Sequence, residues 1–595
     1  MTVRAAVRDS IRVRTADAAW AFAFRAGLAV AVPMVVLVAL DRPSWAATAA
    51  FGSFTALYAR DELYRPRARQ LALVALGLVA AVTAGTGAAL LGGIAPVLVV
   101  ALAGGVATWL CTAFRVGPPA GLMFAFAAAV AGALPATAGA VGRNAALTAA
   151  AAAWAWLVAM AGAAVDRDAP RRLAVARALR AVAALEDVAP GTSGLTLRHR
   201  AAVAVERAWR ALPAVPPTGP RGALIADLET LCAHAESAFA EVHVRGEAAR
   251  RAPAWAPGGT GVPADEPEVD WAELRTLAAQ TGKNGPIPRV RRTRAEIAEI
   301  AGRHLAAELS SRPHFLRPDP VTEGRIWLGG PAIPVAARVA LGALVAGLLA
   351  HLLTGDAALS AIDAGAPAGD GSPAAGDSSP TVGHSGLGHG YWAAVSAVAV
   401  LQTPNLLGSV HRTLQRAVGT LLGVALAAAG ILLLPGQWAL VTAIVFLQVV
   451  AELLVVRNYG LAMLAVTPLA ILVGELANPA PVTGLIRDRL LQTVLGCVAG
   501  LLCAVLIRNR AAIRHLASVT AACRAAVTEL RERLAEPAAD PRPAAWRVAT
   551  LLTAVREAHD VVSGEPGRTP TDAEMVLRTE QSARHALTAA ATRLS

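Results

Sequence analysis

The chain of 595 residues is 55% hydrophobic and only 16% charged, with a mean hydropathy of +0.51, and a charged fraction so far below the usual quarter excludes a large soluble enzyme. Its formal charge of +12 rests almost wholly on Arg, since Lys283 is the sole lysine. These Arg residues cluster between apolar runs, where the positive-inside rule expects them, and that distribution argues against nucleic acid as a partner.

Apolar runs of 15 to 21 residues recur about a dozen times, the pattern of an all-α polytopic membrane protein. The first block, residues 1–165, predicts spans near 24–40, 43–58, 71–91, 94–114, 119–136 and 145–165. Arg4, Arg8, Arg12 and Arg14 precede the first span in the manner of a signal peptide, but the spans that follow make a retained helix the better reading. Residues 166–330 are rich in Arg, Glu, Asp and Pro. Leu224, Leu228, Leu231, Ala235, Phe239 and Val242 recur there at helical spacing, so a helical domain outside the membrane is expected. The Pro/Gly-rich stretch 251–290 reads as a flexible loop within it. A second block, 331–507, predicts spans near 335–353, 391–407, 417–435, 438–456, 459–476 and 490–507, with an outer loop at 354–390. Residues 508–595 return to polar helix, with Ile513, Leu516, Val519, Cys523, Val527, Leu530 and Leu534 on one face. Cys111, Cys497 and Cys503 lie in apolar runs, and Cys232 and Cys523 in polar helices. No spacing suits a disulfide framework or a zinc site.

The positive charges set the topology. Arg60, Arg65, Arg67 and Arg69 follow span two, Arg115 span four, and Arg167, Arg171 and Arg172 span six. Arg412 and Arg416, Arg457, and Arg508 and Arg510 follow spans eight, ten and twelve. The loop 354–390 has Asp356, Asp363, Asp370 and Asp377 and no Lys or Arg. Both termini and both polar domains are therefore expected on the cytoplasmic side of the cell's inner (plasma) membrane. Arg143, Arg487 and Arg489 break the rule by lying at the outer ends of spans six and twelve.

The two blocks read as copies. Placing Trp45 on Trp392, a shift of 347 positions, brings Arg65 onto Arg412 and Arg69 onto Arg416. Pro43-Ser-Trp-Ala-Ala then matches Gly390-Tyr-Trp-Ala-Ala, and Arg143 falls within one residue of Arg489. Because each copy holds an even number of spans, both share one orientation. A pseudo-two-fold axis then runs along the membrane normal, with a pathway at or near the block interface.

The stretch Tyr391-Trp-Ala-Ala-Val-Ser-Ala-Val-Ala-Val-Leu-Gln-Thr-Pro, followed by Arg412, Arg416 and Gly419-Thr-Leu-Leu-Gly423, resembles the fusaric-acid-resistance (FUSC) family of membrane transporters. Arg489-Leu-Leu-Gln-Thr-Val-Leu-Gly496-Cys-Val-Ala-Gly500 is similar to the end of the same domain. The resemblance implies efflux of aromatic carboxylic acids or, as in plant relatives, an anion channel for malate. Block one keeps the pattern only in degenerate form, with Ala72 opposite Gly419.

Candidate site residues follow from where polar groups meet apolar runs. Arg65/Arg69 and Arg412/Arg416 are i, i+4 pairs, so each pair shares a helix face. Facing the pseudo-axis, they would form a cationic ring that gathers carboxylates, a task that suits the permanently charged, bidentate guanidinium. Against this stands a plain role in topology and headgroup contact. Arg143 and Arg489 would line the outer path or snorkel to the interface. Arg25 and Arg338, near the starts of their blocks, have the same two readings with the plain one favoured. Glu452, one turn from Gln448, is the carboxylate deepest in an apolar run. It suits proton coupling, or a static ion pair such as one to Arg457. Gln402 is a further polar lining candidate. Gly419/Gly423 and Gly496/Gly500 read as packing positions. His384 and His389 with the nearby Asp residues fit a solvated loop better than a metal site.

No Walker loop, nucleophile elbow or His-Glu-x-x-His motif is present, so an ATP-driven pump or a hydrolase is disfavoured and neither cofactor nor metal is expected. The expected function is export of a small organic anion, driven by a proton gradient or the membrane potential. A gated anion channel and a non-transporting scaffold are the alternatives, and the polar domains would serve gating or a homodimer.

Overall fold

Backbone polar groups inside a bilayer must be satisfied within the protein, which leaves helices and closed barrels as the spanning structures. The computed structural model describes residues 20–594 apart from 115, 135, 187–191, 214–217, 252–268, 284, 294–295, 298–299, 301–303, 305–331, 364–390, 404, 434–435, 478–481, 508, 563–564 and 566–569. Among the described residues it is helical, with no strand. The first group holds α1 (Trp20–Ala39), α2 (Pro43–Ser53) with a 3-10 turn at Phe54–Leu57, α3 (Tyr64–Leu91), α4 (Ala95–Ala113), α5 (Leu122–Ala133), α6 (Ala138–Met160) and the short α7 (Gly162–Val165). Then come α8 (Ala169–Ala183), α9 (Thr192–Ala211), α10 (Pro220–Arg251) and α11 (Trp271–Thr281). A later apolar group holds α12 (Ala332–Asp363), α13 (Tyr391–Leu401), α14 (Leu406–Leu433), α15 (Gln437–Val455), α16 (Tyr459–Ala477) and α17 (Val482–Leu506). The chain closes with α18 (Arg510–Ala535), α19 (Arg542–Val562) and α20 (Pro570–Leu594).

Nine of the described helices are long and apolar enough to cross a membrane. Three expected spans are not full-length helices: α2, α5 and α13 have 11, 12 and 11 residues. At 1.5 Å per residue each covers about half of a ~30 Å hydrocarbon core. Local chemistry shortens them although the apolar run continues. Pro118, Pro119 and Pro135 bracket α5, and α13 stops at Leu401 ahead of Gln402-Thr403-Pro404, where the residue before a proline avoids helical geometry. Interrupted helices are tolerated at membrane depth where protein surrounds them. Every residue from Ala46 to Ser53 and from Trp392 to Leu401 is buried. Two further expectations change. The Pro/Gly-rich stretch 251–290 contains α11, capped by Asp270 accepting from Glu273 N–H and packed on α8. The outer insertion begins later than residue 354, because α12 continues to Asp363; residues 364–390, with His384 and His389, lie outside the described residues.

In the first group α3 packs on α5 and α6, and α2 packs on α6. In the later group α14 packs on α16 and α17, and α13 packs on α17. Across the groups α4 lies on α12 and α15 lies on α1. Both crossings are close: a methyl on Gly27 would stand 2.5 Å from Val449, and one on Gly105 would stand 2.8 Å from Ala340. Two polar bundles cover one end of this assembly. Leu179, Leu228, Leu231 and Leu274 fill the core of α8–α11, and Leu516, Cys523, Leu530 and Val555 that of α18–α20. His199–Asp560 at 2.6 Å and Arg210–Glu557 at 3.4 Å join the bundles. Arg177–Asp61 at 2.6 Å and an Asn405 Nδ2 bond to Val561 O at 3.4 Å fix them to the apolar helices.

Candidate functional site

The short helix α13 organises the site. Gly496 and Gly500 bring α17 against it; a methyl on Gly496 would lie 2.2 Å from Ala393 O. Gly419 and Gly423 likewise bring α14 against α16. These backbone approaches, available only where a side chain is missing, aim three guanidinium groups at α13. Arg489 of α17 lies over the ring of Trp392. One turn on, Arg416 Nη2 donates to Ser396 Oγ at 3.1 Å and Nη1 to Tyr459 Oη at 3.4 Å. A further turn along, Arg412 Nη1 donates to Ala399 O at 3.2 Å, and its guanidinium sits 5.0 Å from the centre of the Tyr459 ring. Residues 392, 396 and 399 follow the helical repeat, so the three charges form a ladder of about 10 Å along one stripe of α13.

Arg416 and Arg489 are buried, at 9% and 8% exposure. Among the described residues no carboxylate stands within ion-pair distance of any rung. The electrostatic neighbours of Arg412 are Tyr459 and Arg416, and those of Arg489 are Tyr391 and Arg416. Arg416 Nε is buried without a hydrogen-bond acceptor among the described residues. Trp392 also contacts Phe126 of α5, with centroids 5.3 Å apart, and Phe126 packs on Phe51 and Phe54. The ladder is therefore walled by aromatic rings drawn from both helix groups. Such rings accept a guanidinium on the face and another ring on the edge.

The structure thus brings Arg412, Arg416 and Arg489 together and leaves the other expected residues apart. Arg65 and Arg69 are exposed on α3, so the cationic ring of two Arg pairs does not form. Their shared face is turned outward because Arg67, 200° around the helix, takes the inward position and donates to Ala59 O and Arg60 O. Arg143 is exposed and lies 5.2 Å from the ring of Trp45. Gln402 stands where α13 ends, its Nε2 buried with no acceptor among the described residues. Gln448 and Glu452 sit elsewhere, on α15 where it packs against α1. Gln448 Nε2 donates to Glu452 Oε1 at 3.1 Å. The cations that act on Glu452 are Arg60 and Arg25, not Arg457. Burial lowers the Arg60 guanidinium below its ordinary value, against the opposing pull of Asp61 and Glu452. Ser396 and Tyr459 are site residues that sequence reasoning did not single out, although Ser396 stands one turn from the Trp392 used to align the blocks.

Residues 380–503 match the family model described as fusaric acid resistance protein-like. The chain is also similar to the uncharacterized membrane protein YvaC of Bacillus subtilis (strain 168). The two are 25% identical over 533 residues, which cover 86% of this chain and 76% of that one. No solved structure matches. With its many apolar helices, the chain is a multi-pass membrane protein carrying a fusaric-acid-resistance-like segment, and that segment contains every rung of the ladder.

Proposed function

We propose that the protein carries small organic anions, aromatic carboxylates in particular, out of the cell along the α13 ladder. The observation that supports this is the row of guanidinium groups one turn apart, Arg416 and Arg489 buried and Arg412 half-buried, without an acidic neighbour among the described residues. Buried charge is costly unless it is paired. A carboxylate ligand supplies the missing partner through charge-assisted, bidentate bonds. The Phe126, Trp392 and Tyr391 rings suit the aromatic body of such a ligand. Ser396 and Tyr459 occupy Arg416 in the ligand's absence, so each rung exchanges one set of acceptors for another and does not trap its cargo.

The two apolar groups, residues 1–165 and 331–507, act as copies related by a pseudo-two-fold axis along the membrane normal. Supporting this is the matched packing order, α3 on α5 with α14 on α16 and α2 on α6 with α13 on α17, together with the paired stacking of Arg143 on Trp45 and Arg489 on Trp392. The bundles at 166–330 and 508–595 lie on the Arg-rich side, which the positive-inside rule makes cytoplasmic. An inside-negative potential then favours anion exit by about 2.3 kcal/mol per charge per 100 mV, without ATP. Glu452, under the electrostatic influence of Arg60 and Arg25, is the group through which a proton gradient would couple.

A gated anion channel is the second reading, favoured because Glu452 lies off the ladder on a different helix contact. Efflux of labelled benzoate from cells with and without the protein, before and after collapse of the proton gradient, decides between them. Efflux that stops with the gradient and with Glu452→Gln supports the coupled exporter. Flux that follows voltage alone supports the channel. If benzoate and other aromatic carboxylates stay inside despite confirmed expression, the anion reading is wrong.

A further inference from the structure

We infer that Arg338 is a fourth anion-binding rung at the cytoplasmic mouth of the ladder, and that Glu565 of the C-terminal bundle occupies it as a tethered carboxylate that competes with substrate. This rests on the anion-transport reading and adds an entrance site and its regulation.

The position is the first support. Arg338 Nη2 donates to Thr403 O at 2.8 Å. Thr403 lies two residues past the end of α13 at Leu401, so Arg338 stands beyond Arg412 at the C-terminal end of that helix. Its side chain is contributed by α12, and it is one of the largest fully buried side chains in the protein. Unlike the three rungs deeper in the membrane, Arg338 has an acidic neighbour: Glu565 Oε1 stands 3.8 Å from its Nη1. Both side chains are all but inaccessible, at 1% and 2% exposure.

The second support is where that carboxylate comes from. Glu565 belongs to the chain just after α19, where its N–H bonds to Val562 O. One turn earlier Val561 O accepts from Asn405, in the connection between α13 and α14. A polar bundle thus inserts a carboxylate at the point where the ladder opens toward its own side. At 3.8 Å, with Arg338 Nε and Nη1 lacking hydrogen-bond acceptors among the described residues, the contact is looser than a bidentate pair. A free carboxylate able to form two short bonds to the same guanidinium is a better ligand than the tethered one. Substrate at sufficient concentration therefore displaces Glu565 and releases this edge of the bundle, and at low concentration the mouth stays closed.

The test uses the full-length protein in liposomes under a fixed voltage, with labelled benzoate as probe and the amount of folded protein measured for each variant. Glu565→Gln keeps the shape and removes the competing charge. Benzoate flux below saturation should rise at least threefold, with a lower half-saturating concentration. Arg338→Gln should raise the half-saturating concentration about tenfold, and combining it with Glu565→Gln should not restore the wild-type value. Flux in Glu565→Gln equal to or below wild type, while Arg416→Gln still raises the half-saturating concentration about tenfold or more, overturns the tethered anion and leaves the transport reading standing. A wild type that moves no benzoate takes both down. Should Glu565→Gln fail to fold, hydrogen exchange on the wild type decides: benzoate, but not benzyl alcohol, should speed exchange at residues 553–562, and equal exchange with both overturns the inference.

Discussion

A charge kept for a ligand has a different energetic signature from one kept for the fold, and Arg416 separates the two. In Arg416→Met the side chain keeps comparable length and loses its charge. On the stability side, the variant forfeits the Ser396 bond, worth about 1 kcal/mol. The longer approach to Tyr459 at 3.4 Å adds little. Against that, it no longer holds a guanidinium at membrane depth, which costs roughly 2.5–3.5 kcal/mol on insertion scales. The net expectation is a protein more stable by about 2 kcal/mol, in line with the gain often seen when buried charge gives way to apolar packing. On the transport side, one charge-assisted contact to a bound carboxylate is lost, about 1.5–3 kcal/mol or roughly 10- to 150-fold in half-saturating concentration. Thermal unfolding of the purified protein and benzoate flux in liposomes read the two effects separately. A lower melting temperature combined with an unchanged half-saturating concentration would show that Arg416 braces α13 against α14 and α16, and the ladder argument would fail.

Other expectations follow from the same geometry. Gly496→Ala places a methyl 2.2 Å from Ala393 O and must push α17 off α13; a loss of about 1–3 kcal/mol and of most benzoate flux is expected. Gly87→Ala, where a methyl would meet nothing within 4 Å, should be neutral in both assays. Arg143→Gln removes an exposed guanidinium and should leave flux within about twofold of wild type, whereas Arg489→Gln should cut it more than tenfold, since a desolvated cation–π contact alone is worth about 2 kcal/mol. In the first bundle His234 Nδ1 lies 3.0 Å from Glu296 Oε1. The hydrogen bond to Glu296 raises His234 above its ordinary 6.5 despite burial. Burial alone would raise Glu296, but bonds from His234 and Thr293 outweigh it and hold the carboxyl below its ordinary 4.5. The raised histidine contributes fully below pH 6.5 and is lost as pH climbs through its folded pKa. The depressed carboxylate contributes above pH 4.5 and is lost as pH falls through its own. The melting difference between wild type and His234→Ala should therefore be greatest from pH 4.5 to 6.5; a difference that grows above neutrality would contradict the pairing.

Hydropathy located some apolar helices closely, because composition alone decides what a bilayer accepts: α4 at 95–113 and α15 at 437–455 fall within a residue or two of expectation, whereas α14 begins eleven residues before the expected 417. It could not say that α2, α5 and α13 stop halfway, since an apolar run reads the same whether or not its backbone stays helical. The spacing of Arg65 and Arg69 identifies a shared face and leaves open which way it points. Arg67 decides that through carbonyls at Ala59 and Arg60, and no periodicity exposes such a contact. Glu452 shows the larger limit. Its candidate partner, Arg457, is the cation nearest in sequence, while the cations that act on it come from α1 and the segment before α3, about four hundred residues away. For the same reason the sequence favours a plain helix-end charge at Arg338 over a pathway residue: Thr403 and Glu565 reach it only once the chain has folded.

The reciprocal crossing of α4 onto α12 and α15 onto α1 has a consequence for biosynthesis. When the ribosome has finished α6, the surfaces of α1 and α4 that will be covered are still waiting for helices not yet made. At 5–20 residues per second, the stretch up to α12 takes on the order of 10–30 s to synthesise. During that interval the half-made protein sits in the bilayer with its glycine grooves at Gly27 and Gly105 unfilled, a natural target for quality-control proteases. Two fragments divided between α11 and α12 should each need the other to survive, and co-expression should rescue both from degradation.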